Sequence, residues 1–221
     1  LAYNNRYAIK PGFHDLTFST PAGNRSFYLY VPTAYRSDKA NPLVMFFHGG
    51  GGNKEQAKVY GLQDKADEAG FLLVLANGAS AFSGGQLATW NAGECCGYAR
   101  DTNSDDVSYA KMAIAEVQKR ARVDQNRIYA TGMSNGGMMS YRLACEESDT
   151  FAAIAAVAGT DNTITCAPTE DVSILHIHAL DDDHVLYEGG IGGGAFEDDT
   201  KITDFTSVPE TIQSWLSHNA L

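Results

Sequence analysis

Long apolar runs are missing from this chain: no stretch approaches the roughly 20 residues that a membrane-spanning helix needs. Basic residues are scarce. Sixteen Lys and Arg stand against 27 Asp and Glu, for a net charge of −11. That balance argues against nucleic acid and anionic membrane surfaces as partners and favours a soluble chain. Cysteines number four, Cys95, Cys96, Cys145 and Cys166, and none stands at zinc-ligand spacing. No metal and no cofactor is expected. An even count allows disulfides, and with them a secreted, extracellular setting. Position 1 is Leu, not Met, and no signal-peptide pattern follows, so a processed or excised piece is expected. No internal repeat or linker divides the 221 residues, which suit a single domain over 1–221.

What is present is globular: 44% hydrophobic and 19% charged residues. The segments 13–18 and 25–31 alternate like strands around Pro21-Ala22-Gly23-Asn24, which predicts an N-terminal β-hairpin. Leu43-Val44-Met45-Phe46-Phe47 and Phe71 to Ala76 are continuously apolar, as strands buried on both faces of a parallel sheet are. Between them, 54–69 reads as one amphipathic helix. The stretch 77–103 is a long loop rich in Gly, Ser and Asn, and loops of that length in a compact domain are usually functional. A helix over 105–122, a strand over 127–131, a helix to about Cys145, strands over 151–157 and 172–178 and a last helix from Ser207 to about His218 complete the pattern. The stretch 179–200 is acidic and Gly-rich. Strands alternating with helices predict an α/β fold with a mostly parallel central sheet, the hairpin antiparallel at one side and helices on both faces.

One motif organises the rest. Gly132-Met133-Ser134-Asn135-Gly136 lies between the strand and the helix that follows it, the layout of a nucleophile elbow. The turn at the serine is so sharp that its neighbours must be small, and the hydroxyl stands at the positive end of a helix. Acyl transfer also needs oxyanion donors, a base, and an acid to orient the base. The backbone N–H of Asn135 is the first expected donor. The second comes from His48-Gly49-Gly50-Gly51-Gly52, with Gly49 and Gly50 the candidates. His48 borders this loop and is read as orienting its backbone.

The acid is expected after the strand 172–178, among Asp181, Asp182 and Asp183. With His184 this run also resembles a metal site, but a charge run is more simply a solvated loop. The base is not identified. His184 is the one candidate carried forward, although it sits two residues from Asp182. His218 falls on the last helix, and His176 and His178 alternate on a strand.

The sets Pro42-Leu43-Val44 with His48 to Gly52, Trp90-Asn91-Ala92-Gly93 with Cys95-Cys96-Gly97, Asp124 to Tyr129 leading into Thr131 to Gly137, Leu143 to Glu146 and Ala156 to Gly159 together resemble the α/β-hydrolase esterases of the feruloyl esterase and polyhydroxybutyrate depolymerase group. The resemblance covers about 12–220 and implies several things. Ser134 matches the family nucleophile, and Asp182 its triad acid, because His178 to Asp182 and Tyr187 to Gly190 align with a family motif. Trp90 matches a residue beside the active-site loop; with His48 it is placed at the substrate, its alternative being a core aromatic. The family base lies in a Gly-Gly-His-x-Trp-Pro motif after one more strand, so a C-terminal strand and helix are expected to be missing here. In that topology Cys145, at the end of the elbow helix, and Cys166, before the strand 172–178, share one edge of the sheet and are predicted to pair. Cys95 and Cys96, on the active-site side, are expected to pair with each other or with a cysteine in the missing tail. The implied activity is a serine carboxylic-ester hydrolase acting on feruloyl, cinnamoyl or acetyl esters of plant polysaccharide. A short-chain polyhydroxyalkanoate depolymerase and a non-catalytic binding domain of the same fold are the alternatives.

Overall fold

A computed structural model describes residues 7–192 and 203–220; the end of the acidic, Gly-rich stretch therefore lies outside the described residues. Nine strands and five helices are seen among them. β1 (Gly12–Thr20) and β2 (Gly23–Val31) form the expected hairpin, with Thr20 opposite Gly23. β3 (Asn41–Phe47), β4 (Leu72–Ala76), β5 (Val123–Met133), β6 (Ala153–Val157) and β7 (Ser173–Ile177) join it in one seven-stranded sheet of order β1-β2-β4-β3-β5-β6-β7. β2 meets β4 antiparallel, and from β4 to β7 all neighbours are parallel. β8 (Gly190–Ile191) and β9 (Asp204–Phe205) make a separate two-stranded ladder.

The sheet is covered on both faces, as the apolar runs require. On one face α1 (Leu62–Ala69) packs Ala66 with Tyr30, Phe46, Leu73 and Leu75. On the other, Leu43, Met45, Phe47, Leu72 and Val74 meet α3 (Asp106–Gln118), α4 (Asn135–Glu146) and α5 (Val208–His218). Successive residues of β3 and β4 thus serve opposite cores, which is why neither strand carries a polar alternation. The caps of α3 and α5 follow from sequence. Asp105 accepts from the Ser108 N–H, and Ser207 and Glu210 form a reciprocal capping box with Pro209 in the first turn.

Two local readings change. The helix over 54–69 is broken: a 3₁₀ turn, Gln56–Tyr60, ends at Gly61 in the left-handed region (φ 66°), and α1 starts after it. The loop 77–103 contains a short helix, α2 (Gly97–Asp101). β7 is not buried on both faces; among the described residues it is the outer strand, with Leu175 and Ile177 more than half exposed. Among the described residues no helix is long and apolar enough to cross a membrane.

Candidate active site

The elbow is built by steric exclusion. Ser134 lies at φ 54°, ψ −124°, between the end of β5 and the start of α4. Its N–H donates to the Val157 carbonyl (2.8 Å) and its carbonyl accepts from the Met138 N–H (3.0 Å). A Cβ on Gly136 would lie 2.0 Å from the Phe47 carbonyl oxygen, and one on Gly132 would lie 2.4 Å from that of Gly136. Only glycine at both positions lets β3, β5 and α4 converge here. Gly159 serves the same end, since a Cβ there would lie 2.3 Å from the Ser134 carbonyl oxygen.

The glycine loop after β3 sits against this turn. A Cβ placed on Gly49 would be 3.7 Å from the Ser134 Cβ, and one on Gly50 would be 3.7 Å from the Asn135 Cβ. The Gly51 N–H donates to the Ala88 carbonyl and that of Gly52 to Gly49. Among the described residues the amides of Gly49 and Gly50 have no such loop acceptor. The Asn135 N–H opens α4, where the first N–H groups of a helix lack intrahelical acceptors.

His48 and Trp90 are not at the surface. His48 is 2% exposed and Trp90 0%. The His48 Nδ1–H donates to the Gly49 carbonyl (2.8 Å), and its Nε2 accepts from the Gly78 N–H (3.0 Å). Both ring nitrogens are spent, and burial pushes the imidazole pKa down to about 4, so it is neutral. The Trp90 indole N–H donates to the His48 carbonyl (2.9 Å). The Asn135 side chain brackets the Trp90 backbone, accepting from its N–H (2.7 Å) and donating to its carbonyl (3.0 Å). The expectation that His48 and Trp90 touch substrate is corrected on this ground: both are buried struts that tie the glycine loop to the elbow. The orienting role read for His48 matches its bonds, and Trp90 takes its core alternative.

Of the three aspartates after β7, Asp182 is the enclosed one. Its Oδ1 accepts from the backbone N–H groups of His184 (2.9 Å) and Val185 (3.0 Å), and its Oδ2 lies 3.6 Å from His178 Nε2. Asp183 is exposed and pairs with the His184 Nδ1 at 2.6 Å. His184 thus turns to Asp183, and its side chain does not meet Asp182. Strand order sets Asp182 beyond β7 and Ser134 beyond β5, two strand spacings apart at the same edge. Among the described residues no histidine is hydrogen-bonded to the Ser134 hydroxyl.

One arrangement was missed in sequence. The Tyr141 O–H donates to His176 Nδ1 (2.8 Å), His176 Nε2–H to His178 Nδ1 (3.2 Å), and His178 Nε2–H to the Val185 carbonyl (2.7 Å). This assignment of tautomers leaves each ring nitrogen with one partner. Burial, with His178 nearby, lowers the His176 pKa to about 4. The alternation of His176 and His178 was the available signal; their partner on α4 was not in it. At the opposite edge of the sheet Cys145 and Cys166 are joined, S–S 2.02 Å; Cys95 and Cys96 pair with each other on the elbow side, where Cys95 lies against the Asn135 side chain.

A crossover sheet of this order, with a serine elbow after the fifth strand and a glycine loop after the third, defines an α/β-hydrolase. The comparisons agree. The family model described as "Prolyl oligopeptidase family" matches residues 97–171, which span the elbow. Feruloyl esterase B of Piromyces equi is 32% identical over 173 residues, 76% of this chain and 31% of that protein. The putative esterase NocK of Nocardia uniformis subsp. tsuyamanensis is 34% identical over 158 residues, 70% of this chain and 44% of that protein. The crystal structure of a thermostable esterase superposes with a TM-score of 0.63 at 19% identity, covering 94% of this chain and 52% of that one. The chain has the α/β-hydrolase fold and is similar in sequence to esterases of the feruloyl esterase group. It spans about a third to a half of the length of the two curated relatives described.

Proposed function

We propose that this chain carries the nucleophile, the oxyanion donors and the acid of a serine carboxylic-ester hydrolase. The observation that carries the reading is Ser134 in its strained elbow, with Gly49 and Gly50 packed beside it, their amides without a loop acceptor among the described residues. Ser134 Oγ attacks the ester carbonyl as its proton passes to a histidine base. The N–H groups of Asn135 and of Gly49 or Gly50 hold the developing oxyanion, each such donor worth about 3 kcal/mol in the transition state. The base returns the proton to the leaving alcohol, and water then cleaves the acyl-enzyme. Asp182 orients the base. No described residue takes the base's part: His178 faces Asp182 but has both nitrogens engaged, and His184 is held by Asp183.

The substrate class is feruloyl, cinnamoyl or acetyl esters of plant polysaccharide. Support for it comes from the resemblance and from relatives that bear the name feruloyl esterase. The Cys145–Cys166 disulfide fits a secreted protein. Methyl ferulate hydrolysis by the whole protein and by Ser134→Ala tests the assignment. A loss of at least about a thousandfold is expected, and undiminished hydrolysis rejects it. Faster turnover of hydroxybutyrate oligomers than of methyl ferulate would move the substrate to polyesters.

A further inference from the structure

At the same edge of the sheet as the elbow lies a second feature that the ester chemistry does not use. A cleft of about 800 Å³ opens between the start of β2, the segment after the glycine loop, and the loop that follows β4. Its volume falls in the range of ligand sites, about 300–1,000 Å³. It shares its backbone with the oxyanion loop. Gly78 on its wall donates to His48, whose other nitrogen holds the Gly49 carbonyl, and Asn53 and Lys54 follow Gly52 directly. From the end of β4 to the elbow after β5 is two strand spacings, about 10 Å.

The chemistry of the wall selects the ligand. Asn53 and Asn77 each commit the side-chain oxygen to backbone N–H groups, Asn53 to those of Glu55 and Gln56, Asn77 to that of Lys54. That fixes their orientation and leaves their NH₂ groups as donors. The Arg25 Nε–H is buried and has no partner among the described residues. Phe82 and Tyr98 line the same cleft while 56% and 42% exposed. Both cations are already neutralised: Arg25 pairs with the buried Asp106 at 2.8 Å, and Lys54 pairs with Asp15. Glu55 and Asp105 add further negative charge. An anionic ligand is therefore disfavoured. Fixed amide donors, carboxylate acceptors and exposed aromatic faces suit a neutral ligand dense in hydroxyls with apolar C–H faces.

We propose that this cleft binds a neutral oligosaccharide, the sugar chain whose ester is presented to Ser134. The identity of that chain as the alcohol part of the substrate rests on the ester-hydrolase reading; the cleft's preference for a neutral sugar does not. Titration of the whole protein with xylotetraose, which carries no ester, tests the cleft by itself. Saturable binding is expected, retained in Ser134→Ala and weakened at least about tenfold in Phe82→Ala/Tyr98→Ala, one tenfold step being 1.4 kcal/mol. Both aromatics are exposed, so the double variant is expected to fold, and Leu216→Ala on α5 serves as the control that leaves binding unchanged. Absence of binding, binding untouched by the double variant, or a preference for oligogalacturonate would overturn the proposal. Turnover of methyl ferulate without xylotetraose binding would reject the cleft and spare the ester reading; binding without turnover would do the reverse.

Discussion

Ser134 holds a backbone conformation that a residue with a Cβ adopts only under constraint, and the constraint is visible in its two backbone hydrogen bonds and the glycines around it. Such a residue stores about 1–3 kcal/mol. Ser134→Gly should therefore raise stability by about 1 kcal/mol while removing the nucleophile; thermal unfolding reads the first effect, and an unchanged or lower melting temperature counts against strain at the elbow. His48 makes the opposite kind of statement. Its pKa falls from 6.5 to about 4 in the folded chain because burial disfavours the cation. Between those values the unfolded chain binds a proton that the folded chain does not. The contribution is thus full above pH 6.5 and is lost as pH falls toward 4, about 3 kcal/mol at most. His176 acts in the same direction. Urea unfolding from pH 7 down to pH 5 should show the midpoint falling; a flat profile would mean that neither imidazole is held neutral.

At the scale of elements, the acid loop after β7 is latched to α4 through Tyr141, His176 and His178. Asp182, the proposed acid, belongs to the same turn, so the latch positions its carboxylate. Tyr141 is fully buried. Tyr141→Phe removes one donor, leaves the His176 Nδ1 without a partner, and should cost about 1–2 kcal/mol. Hydrogen exchange at the His184 and Val185 amides, which Asp182 holds, should quicken in that variant; exchange identical to wild type would show the loop to be independent of α4.

How much of this was legible depends on where each interaction closes. β3 and β4 could be read from sequence because both their faces are apolar, a signature of a covered parallel sheet. The elbow could be read because its glycines are required sterically and stand two residues from the serine on either side. The break at Gly61 was hidden by an amphipathic pattern that continues across it. Trp90 could not be assigned to core or substrate, since an indole suits either, and only the Asn135 bracket and the His48 carbonyl decide it. The histidine latch was hidden for a different reason: its first member stands 35 residues before His176, on another element.

For the whole molecule, the hydrolase architecture places two kinds of group on opposite edges of one sheet. Elbow, glycine loop, the Asp182 turn and the polar cleft share the edge at the C-terminal ends of the parallel strands. The Cys145–Cys166 bond fastens the far end of α4 to the segment before β7. Its cysteines are 21 residues apart, a loop whose closure is worth about 3 kcal/mol by the chain-entropy estimate. Reduction should lower the unfolding free energy by about that amount, and an unchanged unfolding free energy would remove the bond from the account of stability.

The proposed activity requires Ser134 to be an activated nucleophile. Treating the whole protein with a fluorophosphonate and mapping the adduct by peptide mass spectrometry tests it most directly. A single stoichiometric adduct on Ser134, absent in Ser134→Ala, is the predicted result. No adduct, or one on another residue, would contradict it and leave this fold a binding domain without chemistry.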